Sequence, residues 1–286
     1  MYLFGTVSSK PIPPDKAPIL VQLQNAAFQK AKYLSCALVG MKVFLFAGGL
    51  ISLLSAGWSL SYPWLAFPIA AAGAVMTARA TNMKDQAESL KRQHEFLDGL
   101  GAAPSDRTLA NLRAELPDTL QLEIDRLLTE GVTYASAQPA GLKRILQNVS
   151  ESAFFSRHLA MKCATYLLTL MSITVVVAVS FLFFLLSTLH NGTTAVTAAR
   201  AIAATLVFLI SVGTLKSWRG YVSFRSKADQ AHAEAARLLN DAEPDPYESL
   251  RVLAEYQLAR ASAPMIPTKI WEMHRDRLNT IWTSSH

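Results

Sequence analysis

The nearest approach to a metal-binding pattern in the chain is His94-Glu95-Phe96-Leu97-Asp98. Four residues apart, His94 and Asp98 meet on one helix face. Two ligands are too few for a structural or catalytic zinc site, so the pattern reads as a solvated helix surface. A P-loop, G-x-G-x-x-G, G-x-S-x-G and H-E-x-x-H do not occur, so no enzyme activity, cofactor or catalytic residue is expected. Cys36 and Cys163 form no C-x-x-C site, and both read as reduced, structural thiols.

Arg200 is a lone charge inside an apolar run, on one face with Thr197, Ala204 and Ser211. It reads either as snorkelling to an outer surface or as facing an oligomer axis, where a ring of arginines favours anions. Small and hydroxylated residues recur at helical spacing: Gly48, Ser52, Ser55 and Ser59; Ala70, Ala74, Thr77 and Thr81; Thr165, Thr169, Ser172, Ser180 and Ser187. Such stripes let helices approach closely, or line a watery path. Thr169, Ser172, Ser180, Arg200 and Ser211 are the candidates for pore-lining or oligomer-facing positions.

The elements that carry these residues follow from the clustering of apolar positions. Of 286 residues 51% are hydrophobic, and mean hydropathy is +0.23. Val43–Leu60, Trp64–Ala80, Cys163–Leu189 and Ala195–Leu215 read as membrane spans, near the ~20 residues that cross about 30 Å of hydrocarbon. The first begins too far along the chain, and is followed too closely by another, to be a cleaved secretory signal. All 21 Asp and Glu fall in the N-terminal arm, Met83–Lys162 or the tail after Lys216, as do 26 of the 27 Lys and Arg, counting the boundary residues Lys42 and Arg79; only Arg200 lies on the other side. Lys30, Lys32, Lys42, Arg79, Lys84, Arg157, Lys162, Lys216 and Arg219 flank the opposite ends, the positive-inside pattern. The net charge of +6 is thereby assigned to anionic lipid headgroups rather than nucleic acid.

The expected fold is all-α: four transmembrane helices with both termini cytoplasmic. The divisions are a cytoplasmic arm and helix (1–42), a span hairpin (43–80), a cytoplasmic helical region (81–162), a second hairpin (163–215) and C-terminal cytoplasmic helices (216–286). Within them, Ile19–Lys32 and Met83–Leu100 read as helices, the latter stopped at Gly99–Gly101. Ser105 and Asp118 read as N-caps of short helices, and a helix from about Ala140 leads into the third span. Ser217–Leu239, Tyr247–Ala261 and Lys269–Trp282 follow, with a turn over Asp241–Pro246.

Four stretches, Gln24-Asn-Ala-Ala-Phe-Gln-Lys-Ala-Lys32, Leu90-Lys-Arg-Gln-His-Glu-Phe-Leu-Asp98, Gln147-Asn148 and Tyr256-Gln-Leu-Ala-Arg-Ala-Ser-Ala-Pro-Met-Ile-Pro267, occur in this order. With the spacing of the spans they resemble the four-transmembrane effectors associated with SMODS-type nucleotidyltransferases in CBASS-type bacterial anti-phage defence. The resemblance implies an inner-membrane effector that responds to a cyclic nucleotide or oligonucleotide by oligomerising and permeabilising the membrane. Its partners would be the bilayer, the second messenger and copies of itself. Lys91, Arg92, Arg225 and Lys227 are then the candidates to meet phosphate. Arg260, Pro264 and Pro267 form the most specific motif; Arg260 reads either as a ligand contact or as a cap for carbonyls that the prolines free. A non-conducting membrane scaffold docking a cytoplasmic partner is the alternative. A small transporter is a third reading, disfavoured because the spans lack acidic residues.

Overall fold

The computed structural model describes residues 16–54, 62–114, 136, 138–188 and 213–285, and every regular element among them is an α-helix. They are α1 (Lys16–Leu54), α2 (Tyr62–Leu100), α3 (Asp106–Ala114), α4 (Leu142–Thr188), α5 (Thr214–Leu239), α6 (Pro246–Ser262) and α7 (Thr268–Ser285). Helix α1 pairs with α2 and α4 with α5, giving two long hairpins. Helices α6 and α7 lie against α4, and α6 also contacts α5 and α2.

Helix boundaries follow local chemistry. Helix α2 stops where Gly101 takes φ of +69, and its N–H donates to the Leu97 carbonyl at 2.9 Å. Ser105 caps α3 as expected, its Oγ accepting from the Thr108 N–H at 3.1 Å. Asp245 caps α6, accepting from the Glu248 N–H at 2.8 Å, with Pro246 in the first turn. The lead-in helix Ile19–Lys32 and the first apolar run are one helix, because no breaker separates them. Helix α4 is likewise continuous over 47 residues.

Along three of these helices burial changes abruptly. Leu20, Leu23, Ala27 and Ala31 of α1 are buried, whereas Tyr33, Val43 and Phe44 beyond them are exposed. Helix α2 runs the other way, from Trp64 (83% exposed) and Phe67 (79%) to buried Met83, Ala87, Leu90 and Leu97. Helix α4 is buried through Ala164 and then presents Tyr166, Ile173, Val176 and Phe183 to the outside. The protein is thus a packed bundle at one end and bare apolar helices at the other.

Two helices, α1 over Leu20–Gly49 and α4 over Leu142–Val177, are long and apolar enough to cross a membrane by length and composition. The sequence reading expects four. The second expected span is helical and outward-facing within α2, but its alanine-rich composition, with Pro68 and Arg79, makes it less apolar. Ser55–Leu60 of the first span, most of Ala195–Leu215 including Arg200 and Ser211, and the helix expected after Asp118 lie outside the described residues. On α2 the striped hydroxyls bond within their own helix, Thr77 to the Gly73 carbonyl at 2.8 Å and Thr81 to the Thr77 carbonyl at 3.0 Å.

Three apolar clusters hold the bundle. The largest joins α4, α5 and α6 through Leu146, Val149, Phe224, Leu238, Leu253 and Tyr256. A second joins α1 to α2 through Leu20, Leu23, Ala27, Met83, Leu90 and Leu97. The third docks α7 on α4, with the Trp282 ring 5.2 Å from that of Phe154.

Candidate functional site

Lys84, Glu88, Lys91, Glu95 and Asp98 succeed one another on α2 at steps of four, three, four and three residues. That spacing is the one that apolar seams use. Here the stripe is charged and faces the rest of the bundle.

Arg260 of α6 closes the middle of the stripe. Its Nε donates to Glu88 at 2.9 Å and its Nη2 to Glu95 at 3.2 Å, with Nη1 also on Glu95. Gln257 Nε2 adds a bond to Glu95 at 2.8 Å, and the guanidinium lies 5.5 Å from the Tyr256 ring centre. Tyr256 in turn shares a 2.9 Å hydrogen bond with Ser156 of α4. All three charged partners are buried. Burial alone would raise the Glu95 carboxyl, but Arg260 and Lys91 outweigh it and hold it below its ordinary value. Burial pushes the Tyr256 phenol up to about 12.

The ends of the stripe are also engaged. Asp98 accepts from Arg144 at 2.6 and 3.1 Å and from Asn148 at 2.7 Å. Lys84 Nζ donates to the carbonyls of Ala261 and Ala263, both at 2.6 Å. Two expectations are corrected here. Helix position 94 is buried and Asp98 is committed to Arg144, so the His94–Asp98 pair is an interior feature and not a solvated surface. The carbonyls at the end of α6 are capped by Lys84, not Arg260; the guanidinium instead neutralises two carboxylates that would otherwise be buried unpaired.

Beyond α6, residues 263–267 run between the two hairpins. Pro264 packs so closely on Gly220 that a Cβ there would meet its ring at 2.8 Å, which is why α5 carries glycine at this point. Tyr221 donates to the Met265 carbonyl at 2.6 Å. Pro267 starts α7, its carbonyl accepting from the Ile270 N–H at 3.0 Å.

Beside this network is a cleft of about 380 Å³, walled by α1, α2, α4, α7 and Ile266. Gln24, Lys32, Lys91 and His94 line one side, Glu151, Ser152 and Phe155 another, with Trp271 and Asn279 from α7. Burial lowers the Lys91 ammonium to about 8, Arg260 adding to the effect while Glu95 and Glu88 oppose it. Burial likewise lowers His94 against the pull of Asp98 and Glu95, favouring the neutral ring.

Of the four basic candidates, Lys91 alone lines this cleft. Arg92 is half-buried on α2, and Arg225 and Lys227 are exposed on α5. Lys227 borders a different surface cleft, among Glu234, Arg251 and Glu255. Thr169, Ser172 and Ser180 are exposed on the apolar part of α4. Glu88 and Trp271 are missed by the sequence reading, and Glu95 and Gln257 enter it only inside the quoted stretches; the charged heptad-like stripe is the available signal for the two glutamates. All four stretches quoted for the family resemblance meet in this region: Gln24 and Lys32 in the cleft, Lys91 to Asp98 on the stripe, Asn148 on Asp98, and Tyr256 to Ile266 across them. No family model, curated protein or solved structure matches this chain.

Proposed function

We propose that this protein is a multi-pass inner-membrane effector of anti-phage defence, whose cytoplasmic bundle receives a nucleotide signal and whose apolar helices respond by permeabilising the membrane. One observation carries the reading: the helices that wall the cleft, α1, α2 and α4, are the same helices that emerge from the bundle with exposed apolar faces. A ligand that moves those walls moves the apolar segments with them. In this reading Trp64–Ala80 and Ala195–Leu215 complete four spans, and both termini lie with the bundle in the cytoplasm. Arg79, Lys162, Lys216 and Arg219 are solvent-exposed near the change from buried to exposed apolar residues, where anionic headgroups would meet them.

Four helices in one subunit enclose little space, so conduction requires several copies around an axis. Thr169, Ser172 and Ser180 on the exposed part of α4 supply polar groups for such a path. The test is dye or ion release from liposomes containing the purified chain, with cyclic mono-, di- and oligonucleotides added in turn. Release is expected with one class of nucleotide and not in its absence. Silence with every one, from folded protein, would leave the scaffold reading in its place.

A further inference from the structure

The cleft beside the charged stripe has a lining that defines a chemistry. Gln24 is 8% exposed, and its side-chain carbonyl oxygen has no hydrogen-bond partner among the described residues. An unsatisfied buried acceptor is costly, so it calls for an N–H or O–H donor from outside the chain. Two lysines are in the lining, Lys32 of α1 and Lys91 of α2. Lys32 reaches Thr268 at 3.2 Å, whereas Lys91 donates no hydrogen bond among the described residues. Phe155 and Trp271 are in the same lining, with ring centres 5.9 Å apart and planes inclined by 57°, and give it an apolar wall. Glu151 in the same lining opposes a highly charged guest.

We propose that this cleft binds a single nucleotide unit: one phosphate between Lys32 and Lys91, and one planar base on Trp271 with a ring or amino N–H donated to Gln24. Its volume, about 380 Å³, lies at the small end of the roughly 300–1,000 Å³ that ligand sites span. One base with one phosphate fits that space, and the single pair of ammonium groups in the lining matches one phosphate. The assignment rests on the signal-receiving reading above and adds the address and the size of the ligand. Trp271 and Ile266 make the coupling direct, since both belong to the α6–α7 segment that Lys84 and Tyr221 fasten to the two hairpins.

The test is isothermal titration of the full chain in detergent with cyclic AMP, cyclic GMP, AMP, cyclic di-GMP and inorganic phosphate. A mononucleotide is expected to bind, with cyclic di-GMP and phosphate at least about tenfold weaker. Lys91→Gln should weaken mononucleotide binding about tenfold or more, and Trp271→Ala by a similar factor. Gln24→Leu is the sharpest variant, because it removes the orphan acceptor: Tm should rise while binding falls. The proposal is overturned if no mononucleotide binds, if phosphate alone binds as tightly, if the dinucleotide binds best, or if Gln24→Leu lowers Tm. Liposome leakage separates the two readings. Leakage triggered by a nucleotide whose affinity ignores all three variants removes the cleft assignment and leaves the effector. Binding with the expected variant pattern but no leakage keeps the cleft and removes the effector.

Discussion

The two long hairpins are attached to the bundle in different ways. The second, α4 with α5, shares a continuous apolar core with α6, from Leu146 and Val149 through Phe224 to Leu253 and Tyr256. The first, α1 with α2, keeps its own small core and meets the rest mainly through charges: Lys84, Glu88, Glu95 and Asp98 against α6, the linker and α4. Apolar burial is non-directional and scales with area, so it tolerates small shifts. A buried ionic seam is stable only when every partner is in place, so it specifies one alignment and penalises the next. The contrast is one of mechanism: the second hairpin is held by buried apolar area, and the first is held in one register by paired charges.

The largest test of this contrast is Arg260→Met. It takes the ion-pair partner from Glu88 and Glu95, leaving them Lys91 and, for Glu95, Gln257, and should cost about 3–5 kcal/mol, read as a fall in Tm in detergent. Converting the set together, Glu88→Leu, Lys91→Met, Glu95→Leu and Arg260→Met, should recover most of that loss while abolishing any ligand-dependent response. A loss below about 1 kcal/mol for Arg260→Met alone would mean the seam does not hold the first hairpin. On the apolar side, Trp282→Ala should cost about 3 kcal/mol by emptying the pocket against Phe154, and should expose α7 to protease without disturbing the seam. Protection of the first hairpin in hydrogen exchange is the readout that separates these two variants.

Smaller effects sharpen the picture. Asp98→Ala strands Arg144 and Asn148 and should cost about 1–3 kcal/mol, loosening the contact between α2 and α4. Alkaline titration reads Lys91 by difference: its folded value near 8 lies below the ordinary 10.5, so the unfolded chain holds more protons on it between the two. The stability of wild type relative to Lys91→Met should therefore rise with pH across that window. The smallest change expected is Asp245→Ala, about 1 kcal/mol for one helix cap distant from the seam.

Much of this fold is legible in the residues. Ser105 and Gly101 mark helix ends by chemistry that needs no tertiary partner, and the apolar face of Leu20, Leu23, Ala27 and Ala31 is buried as its spacing implies. The site is less legible. The motif around Arg260 was visible, but its carboxylates lie 172 and 165 residues away, and pairing at such separations leaves no local signature. The His94–Asp98 pair misleads because charged residues at helical spacing ordinarily face water. The stripe is buried here because the oppositely charged Arg260 and Arg144 are brought against it, and only the three-dimensional arrangement supplies them. The cleft was hidden for a similar reason, since Gln24, Lys91 and Trp271 come from three helices.

The unbroken length of α4 has a mechanical consequence. Its 47 residues span roughly 70 Å, with no proline between Leu142 and Thr188 to act as a joint. Such an element does not pass movement along by folding; it works as a stiff arm. If the packed end pivots by on the order of 5°, geometry alone displaces the tip by roughly 6 Å, about the pitch of one turn. A sub-ångström adjustment in the bundle is therefore magnified with distance, and the chain needs no hinge to convert a small event at one end into a large one at the other.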